Sequence, residues 1–200
     1  MNQMKTVLLI NSLVLVLSLS WIVLIFLFTP LAVFIVRLLK GDKPVCYSNA
    51  LPPVSIITIV HNAEDLILRK INSILALNYP REKYEIIIFS DGSTDNTENL
   101  IKQFAYKNIR VFSSPRHEGK NHSINRAVPN CSGDILVFTD VSAILDPDAV
   151  LNLVRHFGDP EIGGVCGNLI IYKDYKELEK TQGVYMKYAN AIKILESQTG

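Results

Sequence analysis

The feature that most constrains this sequence is a long segment without charge near its N-terminus. From Thr6 to Val36 no residue is charged, a stretch of 31 positions. A helix needs roughly 20 apolar residues to cross a bilayer, whereas the apolar region of a signal peptide spans about 7–15 residues before a small-residue cleavage site. The segment therefore predicts a transmembrane anchor over residues 1–40 rather than a buried core helix. Tilt or a kink near Pro30 would absorb the surplus length.

Charged residues on the two sides of this segment predict its orientation. Lys5 and the α-amine precede it, whereas Arg37, Lys40 and Lys43 follow it. Because the more positive flank stays in the cytoplasm, we expect a single-pass protein of the cell membrane whose C-terminal portion is cytoplasmic. The three cysteines lack metal-ligand spacing and are interpreted as reduced thiols. Cys166 lies in an apolar run and is expected in the core.

The remainder of the chain has the composition of an ordinary globular domain. The 200 residues include 20 Lys and Arg against 19 Asp and Glu, a formal net charge of +1. Nucleic-acid-binding proteins usually carry a basic excess, so no nucleic-acid partner is expected. A linker over residues 41–53, which ends in the pair Pro52-Pro53, separates the anchor from a domain over residues 54–200.

Short β-branched runs alternate with amphipathic segments along this domain. The predicted strands are Val54–Val60, Tyr84–Phe89, Ile109–Phe112, Ile135–Thr139 and Gly164–Tyr172. The predicted helices are Ala63–Leu77, one from the capping box Asp95/Glu98 to Tyr106, Gly119–Val128, one from Asp146-Pro147 to Phe157, and Asp174–Leu195. Such alternation predicts an α/β fold, with a mainly parallel, Rossmann-like sheet covered by helices on both faces.

Polar residues follow the first four predicted strands at the point where each strand ends. The four loops are His61–Glu64, Ser90–Asp95, Arg116–Lys120 and Thr139–Ser142. In parallel sheets, ligands bind at the carboxyl ends of the strands. Convergence of these loops at one sheet edge therefore predicts a binding site.

Some of these loop residues also have a structural interpretation. Asn62 and Glu64 could cap the first helix of the domain, and Asp95 is interpreted as a cap. His117 and His122 are interpreted as surface residues rather than ligands.

Two charged residues are harder to explain structurally. A cation such as Lys120 at a helix start is mildly unfavourable, which favours an anionic ligand there. Asp140 ends a strongly apolar strand, where a carboxylate is costly unless a metal, a ligand or hydrogen bonds compensate it.

Four motifs occur in order along the domain: VSIITIVHNAED, IIIFSDGSTDNT, EGKNHSIN and ILVFTDVSAILDPDAV. Their order and intervals resemble those of the family 2 glycosyltransferases, which have the GT-A fold. VSIITIVHNAED resembles the opening strand with its Asn-x-Glu segment, and IIIFSDGSTDNT resembles the second-strand aspartate motif. EGKNHSIN resembles the Gly-Lys-x-x-Ala-x-Asn segment, with Ser123 where alanine is usual. ILVFTDVSAILDPDAV resembles the strand that carries the Asp-x-Asp motif. The resemblance covers about Pro53 to Gly200.

The resemblance implies a role for each motif. The first loop and Asp91 would hold the nucleoside, and Lys120 would be a charge partner of the diphosphate. Asp140 would hold the ribose and a divalent cation, Mg²⁺ or Mn²⁺. Ser142 stands at the second acidic position, which puts metal dependence in doubt. The implied nucleotide-sugar-binding residues are His61, Asn62, Glu64, Asp91, Gly92, Lys120 and Asp140.

The implied function is sugar transfer, with inversion, from a nucleotide-diphosphate sugar to an acceptor in cell-envelope or exopolysaccharide synthesis. A UDP-sugar is the expected donor. The family's general base lies in an acidic motif well after the fifth strand, and the sequence ends at Gly200 before it. We therefore expect this chain to bind a nucleotide sugar and to transfer it poorly or not at all.

Two alternatives belong to other classes of protein. One is a membrane-tethered module that binds a nucleotide sugar and never catalyses. The other is an α/β phosphohydrolase with Asp140 as nucleophile, which the absence of a second acid two residues later disfavours.

Overall fold

The computed structural model describes residues 2–41, 46–104, 108–169 and 188–194. The chain divides into two compact units, Met1–Pro44 with Asn168–Gly200, and Val45–Gly167. The predicted division at residues 40 and 53 stays a prediction.

The first unit contains a helix, α1, that runs from Asn2 to Lys40 and continues through Pro30. Its segment Met4–Val36 is long and apolar enough to cross a membrane, and none of that segment is buried within the protein. Hydroxyl groups in the helix donate to main-chain carbonyls three or four residues earlier, so they have partners in an apolar environment. These hydroxyl groups belong to Ser12, Ser18, Ser20 and Thr29.

The second unit contains a four-stranded parallel sheet in the order β3-β2-β1-β4. Its strands are β1 (Val54–Val60), β2 (Tyr84–Asp91), β3 (Ile109–Ser114) and β4 (Ile135–Phe138). Val54 pairs with both Tyr84 and Ile135, so β1 lies between β2 and β4, and the three strands begin in register. The predicted α/β fold is confirmed, and β2 and β3 extend two residues beyond their predicted ends.

Helices connect the strands and cover the sheet. They are α2 (Glu64–Leu75), α3 (Thr97–Lys102), α4 (Lys120–Ala127) and α5 (Ala149–Val154). Residues 188–194 are helical, within the predicted helix Asp174–Leu195, whose other residues lie outside the described part of the chain. Helix α5 begins later than predicted because Asp146 accepts a hydrogen bond from Asp148 N (2.9 Å) in a turn that precedes the helix.

Alternate residues of the central strands face two separate apolar layers, as the strand periodicity requires. Ile56, Ile86 and Ile88 pack on one face in the cluster that contains the α2 side chains. Ile57 and Ile87 pack on the other face in a smaller cluster with Phe89 and Ala127. The sheet is therefore buried on both faces, which positions the loops at its carboxyl edge.

Two expectations about sequence after α5 are wrong. Residues 164–169 form no strand, and Cys166 is exposed rather than in the core. Gly164 and Gly167 have low strand propensity, and no described segment pairs with residues 164–169. The remainder of the predicted fifth strand, residues 170–172, lies outside the described residues.

Candidate functional site

Asp91 ends β2, and its carboxylate is buried beneath the third loop, with 1% of the residue exposed. Its Oδ1 accepts a hydrogen bond from Glu118 N and its Oδ2 accepts one from Gly119 N, both at 2.9 Å. His117 Nδ1 lies 2.9 Å from Oδ2. Burial alone would raise the pKa of Asp91, but the hydrogen bonds from Glu118 and Gly119 and the charge of His117 lower it below its usual value. Asp91 is therefore an ionised anchor for the third loop.

Gly92 allows the third loop to pass directly over the end of β2. Its φ is +65°, and a Cβ at this position would lie 2.4 Å from both Arg116 C and His117 N. A side chain would thus collide with backbone as well as strain the turn.

Two imidazole rings flank Asp91. His61, the first residue after β1, has its Nδ1 2.7 Å from the Asp91 carbonyl oxygen. The His117 ring lies 4.1 Å from the His61 ring, centroid to centroid, at an interplanar angle of 35°. His117 is exposed as predicted, at 58% of its side chain, but it also belongs to this cluster. The signal available in the sequence was its place in the loop Arg116–Lys120, one of the four loops expected to converge.

Asn62 connects the first loop to the second. Its φ is +46°, which asparagine tolerates better than most residues. Its Oδ1 accepts a hydrogen bond from Thr94 N (2.8 Å), and its own N–H donates to Ser93 Oγ (3.2 Å). It is not a cap of α2, since the N-terminus of that helix at Ala63 has no side-chain cap.

Glu64 and Asp95 form a reciprocal connection between the same two loops. Glu64 N donates to Asp95 Oδ2 (3.1 Å), while Glu64 Oε2 accepts from Asn96 N (2.9 Å). Asp95 Oδ1 also accepts from Thr97 N (3.0 Å), the first residue of α3. The N-cap position of α3 is Asn96 and has no side-chain cap, so Asp95 is not the cap predicted for it. Asp95 contacts the start of α3 from one residue before that position, and the second carboxylate at this turn comes from Glu64.

The third and fourth loops meet at an exposed ion pair. Lys120, the first residue of α4, donates from Nζ to Asp140 Oδ1, and the two side chains are 60% and 63% exposed. A pocket of about 230 Å³ opens beside the pair. It is lined by Ile57, Ile59, Lys120, Ile124, Phe138, Thr139 and Asp140.

The acidic residues of the site do not form a complete metal centre by themselves. Within the described residues, no group of three or more His, Cys, Asp or Glu side chains could hold a metal ion. Asp140 offers one exposed carboxylate. A single carboxylate suits a cation that takes its other ligands from a bound phosphate, as Mg²⁺ commonly does.

Lys70, on α2, was not expected near the site. It is fully buried, and its Nζ donates to Thr139 Oγ1 and to the Ala143 carbonyl oxygen, both at 2.6 Å. Burial lowers its pKa to about 8, although the charge of Asp140 acts in the opposite direction. The sequence did contain a signal, because Lys70 falls at i+3 from Ile67 and directly beside Ile71 on the buried face of the helix.

These loops and strand order can be compared with known proteins. The family model for glycosyl transferase family 2 matches residues 55–196. The chain belongs to glycosyl transferase family 2. It is 32% identical over 167 residues to the poly-beta-1,6-N-acetyl-D-glucosamine synthase of Staphylococcus aureus (strain MSSA476), covering 82% of this chain and 40% of that protein. It is 28% identical over 150 residues to the Staphylococcus epidermidis protein of the same name, covering 74% of this chain and 36% of that protein.

A solved structure has the same fold. The mannosyltransferase PcManGT from Pyrobaculum calidifontis, in complex with GDP-Man and Mn²⁺, superposes with a TM-score of 0.63 at 28% identity, covering 70% of this chain and 43% of that protein. The family resemblance and the α/β fold are thereby confirmed. The chain spans about 40% of the length of the S. aureus relative.

Proposed function

We propose that this chain forms the donor-binding part of a membrane-bound glycosyltransferase that transfers a hexose from a nucleotide-diphosphate sugar in cell-envelope polysaccharide synthesis. Membership of glycosyl transferase family 2 supports the reaction class, and the names of the staphylococcal relatives support polysaccharide synthesis. The observation that carries the proposal is the Lys120–Asp140 pair at the carboxyl edge of the sheet. It provides an exposed ammonium group and an exposed carboxylate at the location where α/β sheets bind ligands.

Lys120 is the residue that would neutralise the diphosphate. A nucleotide diphosphate gains negative charge as the sugar departs, and a positioned ammonium group stabilises that charge. When a donor binds, Lys120 would exchange the Asp140 carboxylate for a phosphate oxygen. Both side chains are exposed enough to make that exchange without moving the main chain.

Asp140 would hold a divalent cation, Mg²⁺ or Mn²⁺, with one carboxylate oxygen. The cation would stabilise the charge of the leaving diphosphate when bound. Mn²⁺ in the PcManGT complex supports this proposal.

The nucleoside would lie by His61, Asp91 and Gly92. The exposed His61 ring offers a flat surface for a base. Asn62 and Glu64 would contribute by holding the first two loops together, since their side-chain oxygens accept hydrogen bonds from the second loop.

A UDP-sugar, and UDP-N-acetylglucosamine first among candidates, is the donor we propose. The staphylococcal relatives are named for an N-acetylglucosamine polymer. The GDP-Man bound to PcManGT makes GDP-mannose the natural comparison ligand.

Calorimetric titration tests the donor site. UDP-N-acetylglucosamine and GDP-mannose are titrated into the chain with and without Mn²⁺. Lys120→Met and Asp140→Asn should each weaken binding of the preferred donor by roughly tenfold or more, since each removes a charged contact. Lys102→Met, which removes an exposed positive charge from the end of α3, is the matched control and should bind like the unmodified protein.

The outcomes separate the alternatives. Normal binding by both site variants would show that the pocket beside Lys120 and Asp140 is not the donor site. Donor binding without transfer of labelled sugar, in a chain extended by any downstream coding sequence, would instead favour a non-catalytic binding module.

We also propose that α1 anchors the protein in the cell membrane with residues after 41 on the cytoplasmic side. The apolar segment Met4–Val36 supports the anchoring. The greater number of basic residues after that segment supports the orientation.

A further inference from the structure

Lys70 contacts both ends of the turn that carries Asp140. Thr139, whose hydroxyl oxygen accepts from Lys70 Nζ at 2.6 Å, directly precedes Asp140. Ala143, whose carbonyl oxygen accepts from the same ammonium at 2.6 Å, closes the turn, because its N–H donates to the Asp140 carbonyl oxygen at 3.1 Å. One ammonium group therefore binds the chain on both sides of the carboxylate, through the side chain of Thr139 and the main chain of Ala143.

A lysine at this position is costly to the fold. Its neighbours on the buried face of α2, Ile67, Ile71 and Ile74, have no exposed surface, and neither has Lys70. A methionine of similar length would fill the same space without loss of hydration by a charged group. The contacts that offset this cost are the hydrogen bonds from Lys70 to Thr139 and Ala143, on either side of Asp140.

The charge of Lys70 is also coupled to that of Asp140. The two groups attract each other, since Asp140 raises the pKa of Lys70 against the larger effect of burial. The ammonium thus lies behind the turn while Lys120 approaches the same carboxylate from the solvent side.

We propose that Lys70 is a positioning residue of the donor site, whose ammonium holds the Thr139–Ala143 turn in the conformation that presents the Asp140 carboxylate to the donor. The proposal rests on the proposed donor site at Asp140. Lys70 acts through the turn and makes no contact with the donor itself.

A double-mutant cycle tests this coupling. The Kd of UDP-N-acetylglucosamine, or of GDP-mannose if that ligand binds more tightly, is measured in saturating Mn²⁺ for Lys70→Met, Asp140→Asn and the double variant. Lys70→Met should weaken binding about tenfold, as loss of a group that orients a ligand-binding side chain commonly does. In the Asp140→Asn background, Lys70→Met should cause almost no further loss, because the side chain that it positions is already altered.

Arg69→Met is the matched control for the cycle. Arg69 is the exposed neighbour of Lys70 on the same helix, so the variant removes one positive charge without touching the turn and should leave the Kd unchanged. Equal losses from Lys70→Met in both backgrounds, or none in either, would overturn the proposal. If Asp140→Asn itself binds normally, the proposed donor site fails, which is a different result.

Folding is monitored separately by thermal unfolding of each variant. If Lys70→Met does not fold, Thr139→Val takes its place, because it removes one acceptor of the ammonium at nearly constant volume. It should weaken binding severalfold in the unmodified background and not in the Asp140→Asn background. An equal loss of donor affinity from Thr139→Val in both backgrounds would overturn the proposal in the same way.

Discussion

Asp91 and its neighbours belong to the proposed binding site and also determine the shape of the third loop. The Asp91 carboxylate accepts two main-chain hydrogen bonds and contacts His117. A carboxylate has about four acceptor positions, so at most one remains for a ligand. Substitutions at Asp91 should therefore affect stability as well as binding.

Asp91→Asn is expected to lower the free energy of unfolding by about 1–3 kcal/mol, since a buried amide cannot accept from both Glu118 N and Gly119 N. The side-chain nitrogen of asparagine is a donor, so it would face a main-chain N–H group that is also a donor. Urea denaturation at neutral pH measures the change. Asp134→Asn, at an exposed position before β4, is the control. A loss at Asp91 no larger than that of the control would show that the carboxylate does not anchor the loop.

Gly92→Ala is expected to destabilise the protein by roughly 1–3 kcal/mol, because its backbone conformation is strained for other residues and its Cβ would collide with the backbone of Arg116 and His117. Donor affinity should fall as well, since the third loop would be displaced. Gly163→Ala is the control, because a Cβ there meets nothing within 4 Å and its φ is not positive. Chemical denaturation measures the stability of both variants, and calorimetry measures their donor affinity. Equal stability and affinity of the two variants would contradict the close approach of the third loop to Gly92.

At the scale of elements, a carboxylate joins the strands at the opposite end of the sheet from the site. Glu85, on β2, accepts hydrogen bonds from Ser55 Oγ on β1 (2.6 Å) and from Ser132 N before β4 (2.6 Å). Arg110 on β3 lies 3.1 Å from its other oxygen. Burial opposes ionisation of Glu85, but the hydrogen bonds from Ser55, Ser132 and Arg110 lower its pKa to about 2. One side chain thus connects β1, β2 and β3 with the segment that precedes β4.

This network predicts a specific acid sensitivity. Because the pKa of Glu85 is lower in the folded protein, its contribution to stability is complete above about pH 4.5 and is lost as the pH falls toward about 2. Glu85→Gln should therefore be less stable than the unmodified protein at pH 7, and the difference should shrink over that interval. Urea denaturation at several pH values measures it. Glu82→Gln, which alters an exposed carboxylate on the preceding turn, should retain the acid profile of the unmodified protein.

The strands were predictable from sequence where the apolar run is continuous. Val54–Val60 was predicted with its observed bounds because a strand buried on both faces is rich in apolar, β-branched side chains. The run that begins at Gly164 is also largely apolar, but it contains Gly164 and Gly167, and residues 164–169 form no strand. A strand forms only when its main chain hydrogen-bonds to another strand, and the composition of a segment does not show which segment will pair with it.

The contacts within the site were less predictable than the loops that carry them. Helical spacing places Lys70 on a buried face, but its acceptors Thr139 and Ala143 lie 69 and 73 positions later in the chain. Likewise, Asn62 and Glu64 bond to a loop about 32 positions away instead of capping their own helix. Residue type and local spacing identified the polar loops, whereas partners distant in sequence required the fold.

At the scale of the whole molecule, the native cysteines can report on which side of the membrane the chain lies. Cys46 follows α1 closely and is exposed, as is Cys166, whereas Cys131 is half-buried. A variant with Cys131→Ser and Cys166→Ser leaves a single thiol on the C-terminal side of the apolar segment. Adding Cys46→Ser and Asn2→Cys moves that single thiol to the N-terminal side.

A membrane-impermeant maleimide should label Cys46 in inside-out vesicles and not in right-side-out vesicles, because the positive flank after α1 is expected in the cytoplasm. The Asn2→Cys variant should show the opposite pattern, and detergent should make both thiols reactive in both preparations. Labelling of Cys46 in right-side-out vesicles alone would mean that the orientation is reversed. Labelling of both thiols from the same side would mean that α1 does not span the bilayer. Because Asp140 follows α1 in the chain, the expected pattern would also put the proposed donor site on the cytoplasmic side of the membrane.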